Sequence, residues 1–232
     1  MLIFRPSHER GHVVHGWLDT YHTFSFARYY DPRWMGFGPL RVINEDHIQG
    51  KTGFGEHFHD NMEILTYVMS GELAHRDSLG NGSTIHSNEI QYMSAGTGIM
   101  HSEMNPGEVT THLLQIWIEP NAYGEAPRYQ DKKLGRAESG KLELLASGDG
   151  RAGSIVIRQD ADVYRGVFAP GTSVGFNGRT QRAQWIQVIS GGLNVNGTAL
   201  STGDACGLQN ETEITLAATS EAHVLLFDLT TR

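Results

Sequence analysis

Two pairs of potential metal ligands stand out in the first half of the sequence. His57 and His59 lie two residues apart in GFGEHFHDNME, and His101 and Glu103 have the same spacing in GTGIMHSEMN. On a β-strand, side chains at i and i+2 project to the same side, so each pair would present both groups to one face. Two such strands lying against one another would bring three imidazoles and one carboxylate to a single point.

This ligand set favours a divalent transition metal. Three imidazoles and a carboxylate suit Fe(II), Mn(II), Ni(II), Cu(II) or Zn(II), whereas Mg²⁺ and Ca²⁺ prefer oxygen ligands. Four protein ligands leave up to two positions open in an octahedral shell, which is what a site needs if substrate or dioxygen is to bind. A closed tetrahedral structural site is the alternative that the spacing leaves open.

The remaining histidines have weaker patterns. Three of them have helix-like gaps but lie among glycine and valine, so a separate metal site there is disfavoured: His8, His12 and His15. Three others lie in or near apparent turns and are predicted to be solvated: His47, His75 and His86.

Glu63 is a possible fifth ligand, four residues after His59. It would share the ligand face only if the strand stayed regular past Asp60 and Asn61, so we expect a structural or ligand-supporting role instead. The one cysteine, Cys206, is expected to be a small core residue.

Short apolar runs separated by turn residues must position these ligands. The runs are Glu63 to Met69, Glu89 to Met93, His112 to Ile118, Ser154 to Ile157, Trp185 to Ile189 and His223 to Leu229. Short strands at this spacing indicate an antiparallel sandwich or barrel. Helical periodicity is weak, with short helical pieces at most between Asn121 and Arg136.

The strand pattern occurs twice. VMSGEL at residues 68–73 reappears 120 positions later as VISGGL at residues 188–193, and HLLQI at 112–116 parallels HVLLF at 223–227. We interpret this as two barrel domains related by duplication, 1–125 and 135–232, joined by a linker at 126–134. The offset of 120 places Asn177 and Arg179 where the first half has His57 and His59. The second barrel is therefore predicted to lack ligands, which leaves one metal per chain.

Composition excludes several classes of protein. The 232 residues carry 18 basic and 26 acidic side chains, a net charge of −8, which argues against nucleic-acid binding because that affinity depends on clustered Lys and Arg. A single cysteine cannot form an internal disulfide, which favours a reducing compartment. No apolar stretch approaches the ~18 residues of a membrane span, and the N-terminus has no recognisable export signal. These features predict a cytoplasmic protein that does not interact with membranes.

The sequence resembles the bacterial pirins, which are members of the bicupin superfamily. The resemblance covers nearly the whole chain and is carried by HTFSF at 22–26, GFGPLRVINEDHI at 36–48, HFHDNMEILTYVMSGELAHRDSLGN at 57–81 and MSAGTGIMHSEMN at 93–105. It implies an all-β fold of two cupin barrels of the jelly-roll type. It also implies one metal, usually taken as iron, held by His57, His59, His101 and Glu103. Bacterial members are similar to quercetin 2,3-dioxygenases, whereas eukaryotic relatives are linked to nuclear transcription regulation.

The resemblance thus favours metal-dependent cleavage of a flavonol such as quercetin by dioxygen, with release of carbon monoxide. Glu103, the only carboxylate of the quartet, is the ligand that could also accept a proton. A flat substrate would need an apolar pocket, for which the candidates are Phe24, Phe26, Phe37, Phe54 and Met62.

Two other functions remain open at this point. One is a metal-bearing regulatory or binding protein without turnover. The other is a cupin isomerase acting on sugar phosphates, which is disfavoured because the first 120 residues have a net charge of −7 and a single lysine, Lys51. The sequence does not predict the oligomeric state.

Overall fold

The protein is described here by a computed structural model of residues 1–231, in which the chain forms twenty β-strands and two single-turn 3-10 helices. The strands of the first half are β1 (Leu2–Arg5), β2 (Gly11–Val14), β3 (Leu18–His22), β4 (Leu40–Ile48), β5 (Gly53–Ser70), β6 (Glu72–Asp77), β7 (Gly82–His86), β8 (Glu89–Met104), β9 (Thr111–Ile118) and β10 (Arg128–Lys133). Those of the second half are β11 (Leu142–Ser147), β12 (Ile155–Val156), β13 (Ala161–Phe168), β14 (Ser173–Asn177), β15 (Arg182–Ser190), β16 (Gly192–Val195), β17 (Thr198–Ser201), β18 (Ala205–Gln209), β19 (Glu213–Ala218) and β20 (Ala222–Thr230).

Helix is confined to Ser7–Glu9 and Arg151–Gly153 within the described residues. The segment around Asn121 to Arg136, where the sequence allowed short helical pieces at most, contains β10, which pairs with β8 over its whole length. No helix in residues 1–231 is long and apolar enough to cross a membrane. The predicted all-β class is confirmed.

The N-terminal unit contains residues Gly11–Gly36 and Leu40–Gly135. Its nine strands form one sheet in the order β2-β3-β4-β9-β5-β8-β6-β7, with β10 added to β8, and every pairing is antiparallel. The two ligand-bearing strands, β5 and β8, are neighbours near the middle of this order.

The C-terminal unit contains residues from Arg136 onward together with Met1–Arg10 and Phe37–Pro39. It has a seven-stranded sheet, β1-β18-β15-β20-β13-β11-β12, and a four-stranded sheet, β14-β19-β16-β17. The predicted domain boundaries did not include this exchange of segments. The first strand joins the unit because Leu2 to Arg5 pair with Leu208 to Ala205.

The predicted repeat is visible in the geometry of both halves. Gly71 and Gly191 have φ angles of 81° and 84°, and each follows an irregularity at the end of its strand. A Cβ atom at Gly71 would lie 2.6 Å from Thr111 Oγ1, and one at Gly191 would lie 1.8 Å from the carbonyl oxygen of Glu221. Both turns therefore require glycine, because other side chains would be strained and would collide.

Each unit has its own apolar core. In the N-terminal unit, Ile64, Met93, Ala95 and Ile99 pack together on β5 and β8. In the C-terminal unit, Cys206 belongs to the core, as predicted, and burial raises the pKa of its thiol to about 12.

Candidate metal centre

The two candidate ligand pairs lie on adjacent, hydrogen-bonded strands. His57 on β5 is directly opposite His101 on β8, and His59 is opposite Ile99. The predicted strands covered only the apolar parts of β5 and β8, which continue through the flanking glycine-rich runs to reach 18 and 16 residues. The candidate ligands therefore lie within long paired strands, whose backbone hydrogen bonds fix their positions.

The structure brings the three predicted histidines together. The ring centroids of His57 and His101 are 4.3 Å apart, those of His57 and His59 are 4.8 Å apart, and those of His59 and His101 are 4.9 Å apart. One potential ligand atom from each ring lies within 4.8 Å of the other two. At this distance between ligand atoms, small side-chain rotations would bring all three nitrogens to one cation.

Glu103 lies beside this cluster. It is 3% exposed, and one of its oxygens lies within 4.8 Å of ligand atoms on His75 and His101. Its Oε2 accepts a hydrogen bond of 2.9 Å from Gln115 Nε2, whereas Oε1 is buried without a hydrogen-bond partner. Burial raises the pKa of Glu103 to about 7.

Hydrogen bonding orients the imidazole of His57. Its Nδ1 lies 2.8 Å from the carbonyl oxygen of Gly55, an acceptor, so this nitrogen carries the proton. The Nε2 atom consequently presents its lone pair, which is the form that binds a metal.

His101 is oriented in a similar way by a second histidine. Its Nδ1 lies 3.4 Å from His75 Nδ1, and His75 Nε2 lies 3.2 Å from Asp77 Oδ2. Since the Asp77 carboxylate can only accept, His75 Nε2 donates to it, and His75 Nδ1 is left as an acceptor for His101 Nδ1 and for Gln91 Nε2, which also lies 3.4 Å away. The Nε2 atom of His101 is then left with a lone pair, and it is buried without a hydrogen-bond partner.

The prediction that His75 is solvated is wrong. It is 3% exposed and stacks on Tyr129 with 4.7 Å between ring centroids. The reason is the pairing of β6 with β8, which places His75 opposite Glu103 and Asp77 opposite His101. His75 and Asp77 show the same i, i+2 spacing that identified the other ligands, so the signal was present in the sequence.

The imidazoles are in the state that metal binding needs. Burial lowers the pKa of His59 to about 4 and that of His101 to about 3, and the neighbouring His57 lowers both further. Both rings are therefore neutral near pH 7 and able to donate a lone pair.

Glu63 is held away from the cluster, as expected. It is fully buried, and its two oxygens accept hydrogen bonds of 2.5 Å from Tyr92 Oη and Ser94 Oγ. The strand is irregular between His59 and Asn61, where Asn61 has a φ of 59°. This irregularity breaks the alternation that would have placed Glu63 beside His59.

A cavity of about 340 Å³ opens onto the cluster. Aromatic side chains contribute to its wall, and the candidate ligands His57, His59 and Glu103 line it as well. The aromatic residues are Trp17, Phe26, Phe54 and Trp117. Of the predicted pocket residues, Phe26 and Phe54 thus lie at the cavity.

The other three predicted pocket residues do not line this cavity. Phe24 is 1% exposed, and Met62 packs against the apolar cluster on β5 and β8. Phe37 belongs to the C-terminal unit, where its ring lies 5.2 Å from that of Trp185. Their apolar character indicated burial, and burial in a core satisfies it as well as a pocket does.

Asp46 also lines the cavity, although it was not among the predicted site residues. Burial raises its pKa to about 7, and the negative charges of Glu103 and Glu45 add to the increase. It alternates with Glu45 and His47 on β4, a run of polar residues whose two faces the sequence did not distinguish.

The C-terminal unit has different chemistry at the matching position. Arg179, which corresponds to His59, lies 3.0 Å from Asp162 Oδ2 and 3.3 Å from Asp228 Oδ2. Within residues 1–231, the groups of three residues able to hold a metal all lie in the N-terminal unit.

Comparison with known proteins identifies the family. The Pirin family model matches residues 3–118, and that of the quercetinase C-terminal cupin domain matches residues 144–229. Quercetin 2,3-dioxygenase of Escherichia coli K12 is 47% identical over 230 residues, 99% of each chain. The Pirin-like protein of Caulobacter vibrioides is 40% identical over 98% of this chain and 99% of its own.

A solved structure has the same fold. The crystal structure of bacterial pirin YhhW from Escherichia coli in complex with nickel(II) has a TM-score of 0.96 and 45% sequence identity, over 100% of each chain. The two matched families account for both halves of the sequence, and the relatives extend over essentially all of it. The chain belongs to the pirin family and is an all-β bicupin.

Proposed function

We propose that this protein is a metal-dependent quercetin 2,3-dioxygenase. Its N-terminal unit would hold one divalent transition metal on His57, His59, His101 and Glu103, and its C-terminal unit would be a cupin barrel without a metal. The observation that carries the proposal is the group of three imidazoles at an aromatic cavity, with the buried carboxylate of Glu103 beside it. The name of the Escherichia coli relative supports the same activity.

The donor atoms fit a metal on independent grounds. His101 Nε2 and Glu103 Oε1 are both buried without hydrogen-bond partners. Leaving a buried polar atom unpaired costs about 1 to 3 kcal/mol, and a coordinated cation would remove that cost. The cation would also keep Glu103 ionised despite burial that raises its pKa to about 7.

Fe(II) is our assignment for the resident ion, with Zn(II), Mn(II), Ni(II) or Cu(II) as substitutes that the same ligands accept. The nickel(II) complex of the YhhW pirin supports such tolerance. A bound ion of this kind would supply Lewis-acid stabilisation of a flavonol enolate and a template for dioxygen.

The chain's own residues would bind and prepare the substrate. The rings of Trp17, Phe26, Phe54 and Trp117 offer apolar contact to a flat flavonol and exclude water from it. A flavonol must lose its 3-hydroxyl proton to bind as an enolate. Glu103 and Asp46 both line the cavity, and an ionised carboxylate at either position could accept that proton.

The decisive experiment uses untagged protein in which the metal content has been measured. Quercetin should lose its visible absorbance in air, with oxygen consumed and carbon monoxide released in proportion. Removing oxygen should stop turnover but leave binding unchanged. A cytoplasmic location, which we also propose, is tested separately by fractionating cells.

The second candidate function is a regulatory protein that binds metal without turnover. The Caulobacter vibrioides relative is named only a Pirin-like protein, a name that specifies no activity and is compatible with this second function. Metal-loaded protein that binds quercetin yet consumes no oxygen would support this alternative and contradict the dioxygenase.

A further inference from the structure

A second group of metal-binding side chains lies on the opposite face of β4 from the cavity. Asn44 and Asp46 line the cavity, so the alternating residues Glu45 and His47 project from the other side of the sheet. His112 on β9 is directly opposite His47 in the pairing of the two strands. These residues play no part in the proposed reaction.

The three side chains are already in contact. His112 Nε2 lies 3.0 Å from Glu45 Oε1, and the rings of His47 and His112 stack with centroids 4.2 Å apart. One potential ligand atom from each residue lies within 4.8 Å of the other two. His47 Nδ1 is buried and has no hydrogen-bond partner.

The fold does not require this pair of imidazoles. In the C-terminal unit, the corresponding histidine, His223, is opposite Val167, which takes the place of His47 at the offset of 120. The same strand pairing is therefore compatible with an aliphatic side chain. The N-terminal unit therefore has two adjacent imidazoles and a carboxylate that the strand pairing itself does not need.

We propose that Glu45, His47 and His112 form a second, exchangeable site for a divalent transition metal such as Zn(II). Two imidazole nitrogens and a carboxylate oxygen are typical Zn(II) ligands, and water would complete the shell. With three protein ligands, two of them only partly buried, this site should release its metal on dialysis more readily than the four-ligand site. A bound ion would link β4 to β9.

Binding requires a small change in the rings. They are nearly parallel, with 12° between their planes, so their nitrogens must turn to converge on one ion. The His side chain rotates easily about its Cβ–Cγ bond, and both residues are only partly buried. A surface depression lined by Asp19, Tyr21 and His47 gives the ion access.

The test uses the metal-loaded protein and Zn(II) as the probe. Equilibrium dialysis should show one exchangeable Zn(II) in addition to the resident metal. His47→Gln and His112→Gln should each weaken this uptake at least tenfold while resident metal and quercetin turnover stay unchanged. His86→Gln is the matched control, because His86 also faces a glutamate, Glu72, at 3.5 Å but belongs to no such group of three.

A measurement on the unaltered protein guards against variants that fold poorly. Imidazole NMR signals of His47 and His112 should shift on addition of Zn(II), whereas that of His86 should not. No additional bound Zn(II), or uptake that persists in both glutamine variants, would overturn the proposal. Because resident metal and turnover are measured in the same samples, failure of this site is distinguishable from failure of the dioxygenase.

Discussion

The Nδ1 atoms of His75 and His101 lie 3.4 Å apart in the interior of the N-terminal unit. With Asp77 behind His75, this contact fixes which nitrogen of His101 is free for a metal. Such supporting hydrogen bonds typically contribute about 10- to 100-fold to metal affinity. His75 is therefore a positioning residue, and its effect is separable from that of the ligands.

His75→Phe should lower the affinity for the resident metal by about 10- to 100-fold. Phenylalanine keeps the stacking on Tyr129 but accepts no hydrogen bond from His101. His75→Asn, whose carbonyl oxygen accepts one, should recover part of the loss. Metal affinity measured against a chelator checks both variants, and equal affinities for the two would show that His75 only fills space.

The ligand assignment predicts a fold that survives loss of the metal. His57→Ala combined with His101→Ala should abolish the resident metal, while the circular dichroism spectrum stays that of the unaltered protein because the core is apolar. Arg179→Ala, at the position that matches His59, is the control and should leave the metal content unchanged. Resident metal that remains in the double variant would contradict the assignment.

Sequence periodicity predicted which candidate ligands share a face, because strand geometry is local. The i, i+2 spacing of His57 with His59 and of His101 with Glu103 predicted shared faces, and the register that places His57 opposite His101 satisfies it. The glycine turns at Gly71 and Gly191 were likewise visible as a repeated motif.

Contacts between distant strands were harder to predict. His75 is buried because β6 pairs with β8, and Leu2 lies in the C-terminal unit because β1 pairs with β18. Such pairings depend on the packing of the complete sheets, which no single segment of sequence specifies. For the same reason, aromatic character did not distinguish Phe26 at the cavity from Phe37 in a core.

The partly buried His223 of the C-terminal unit predicts how stability depends on pH. Burial, together with the positive charge of Arg165, lowers the pKa of His223 from 6.5 to about 4. The unfolded chain therefore binds a proton more readily than the folded one. The free energy of unfolding is unaffected by this residue above about pH 6.5 and decreases as the pH falls towards 4. The loss of unfolding free energy that His223 can cause is at most about 3 kcal/mol.

His223→Gln should accordingly flatten the decrease in unfolding free energy between about pH 7 and about pH 5. Urea unfolding of samples with equal metal content measures this slope. His86→Gln, in which an exposed histidine is replaced, serves as the control. A slope unchanged by His223→Gln would exclude His223 as a source of the pH dependence.

Substitutions of the two cavity carboxylates, Glu103 and Asp46, should reveal which of them accepts the flavonol proton. Positioned general bases typically contribute about 10²- to 10⁴-fold to the rate. Glu103→Gln keeps a carbonyl oxygen for the metal, so metal content should fall only partly while turnover per bound metal falls within that range. Asp46→Asn should leave metal content unchanged, because Asp46 is outside the ligand groups found in residues 1–231.

Our expectation is that Glu103→Gln has the larger effect on turnover per bound metal, because Glu103 is both a proposed ligand and part of the cavity wall. The reverse result would assign the base to Asp46 and leave Glu103 as a plain ligand. Activity that falls only in step with metal content in Glu103→Gln would also contradict a base role for Glu103. Turnover and metal must therefore be measured in the same preparation, since only their ratio separates loss of a ligand from loss of a proton acceptor.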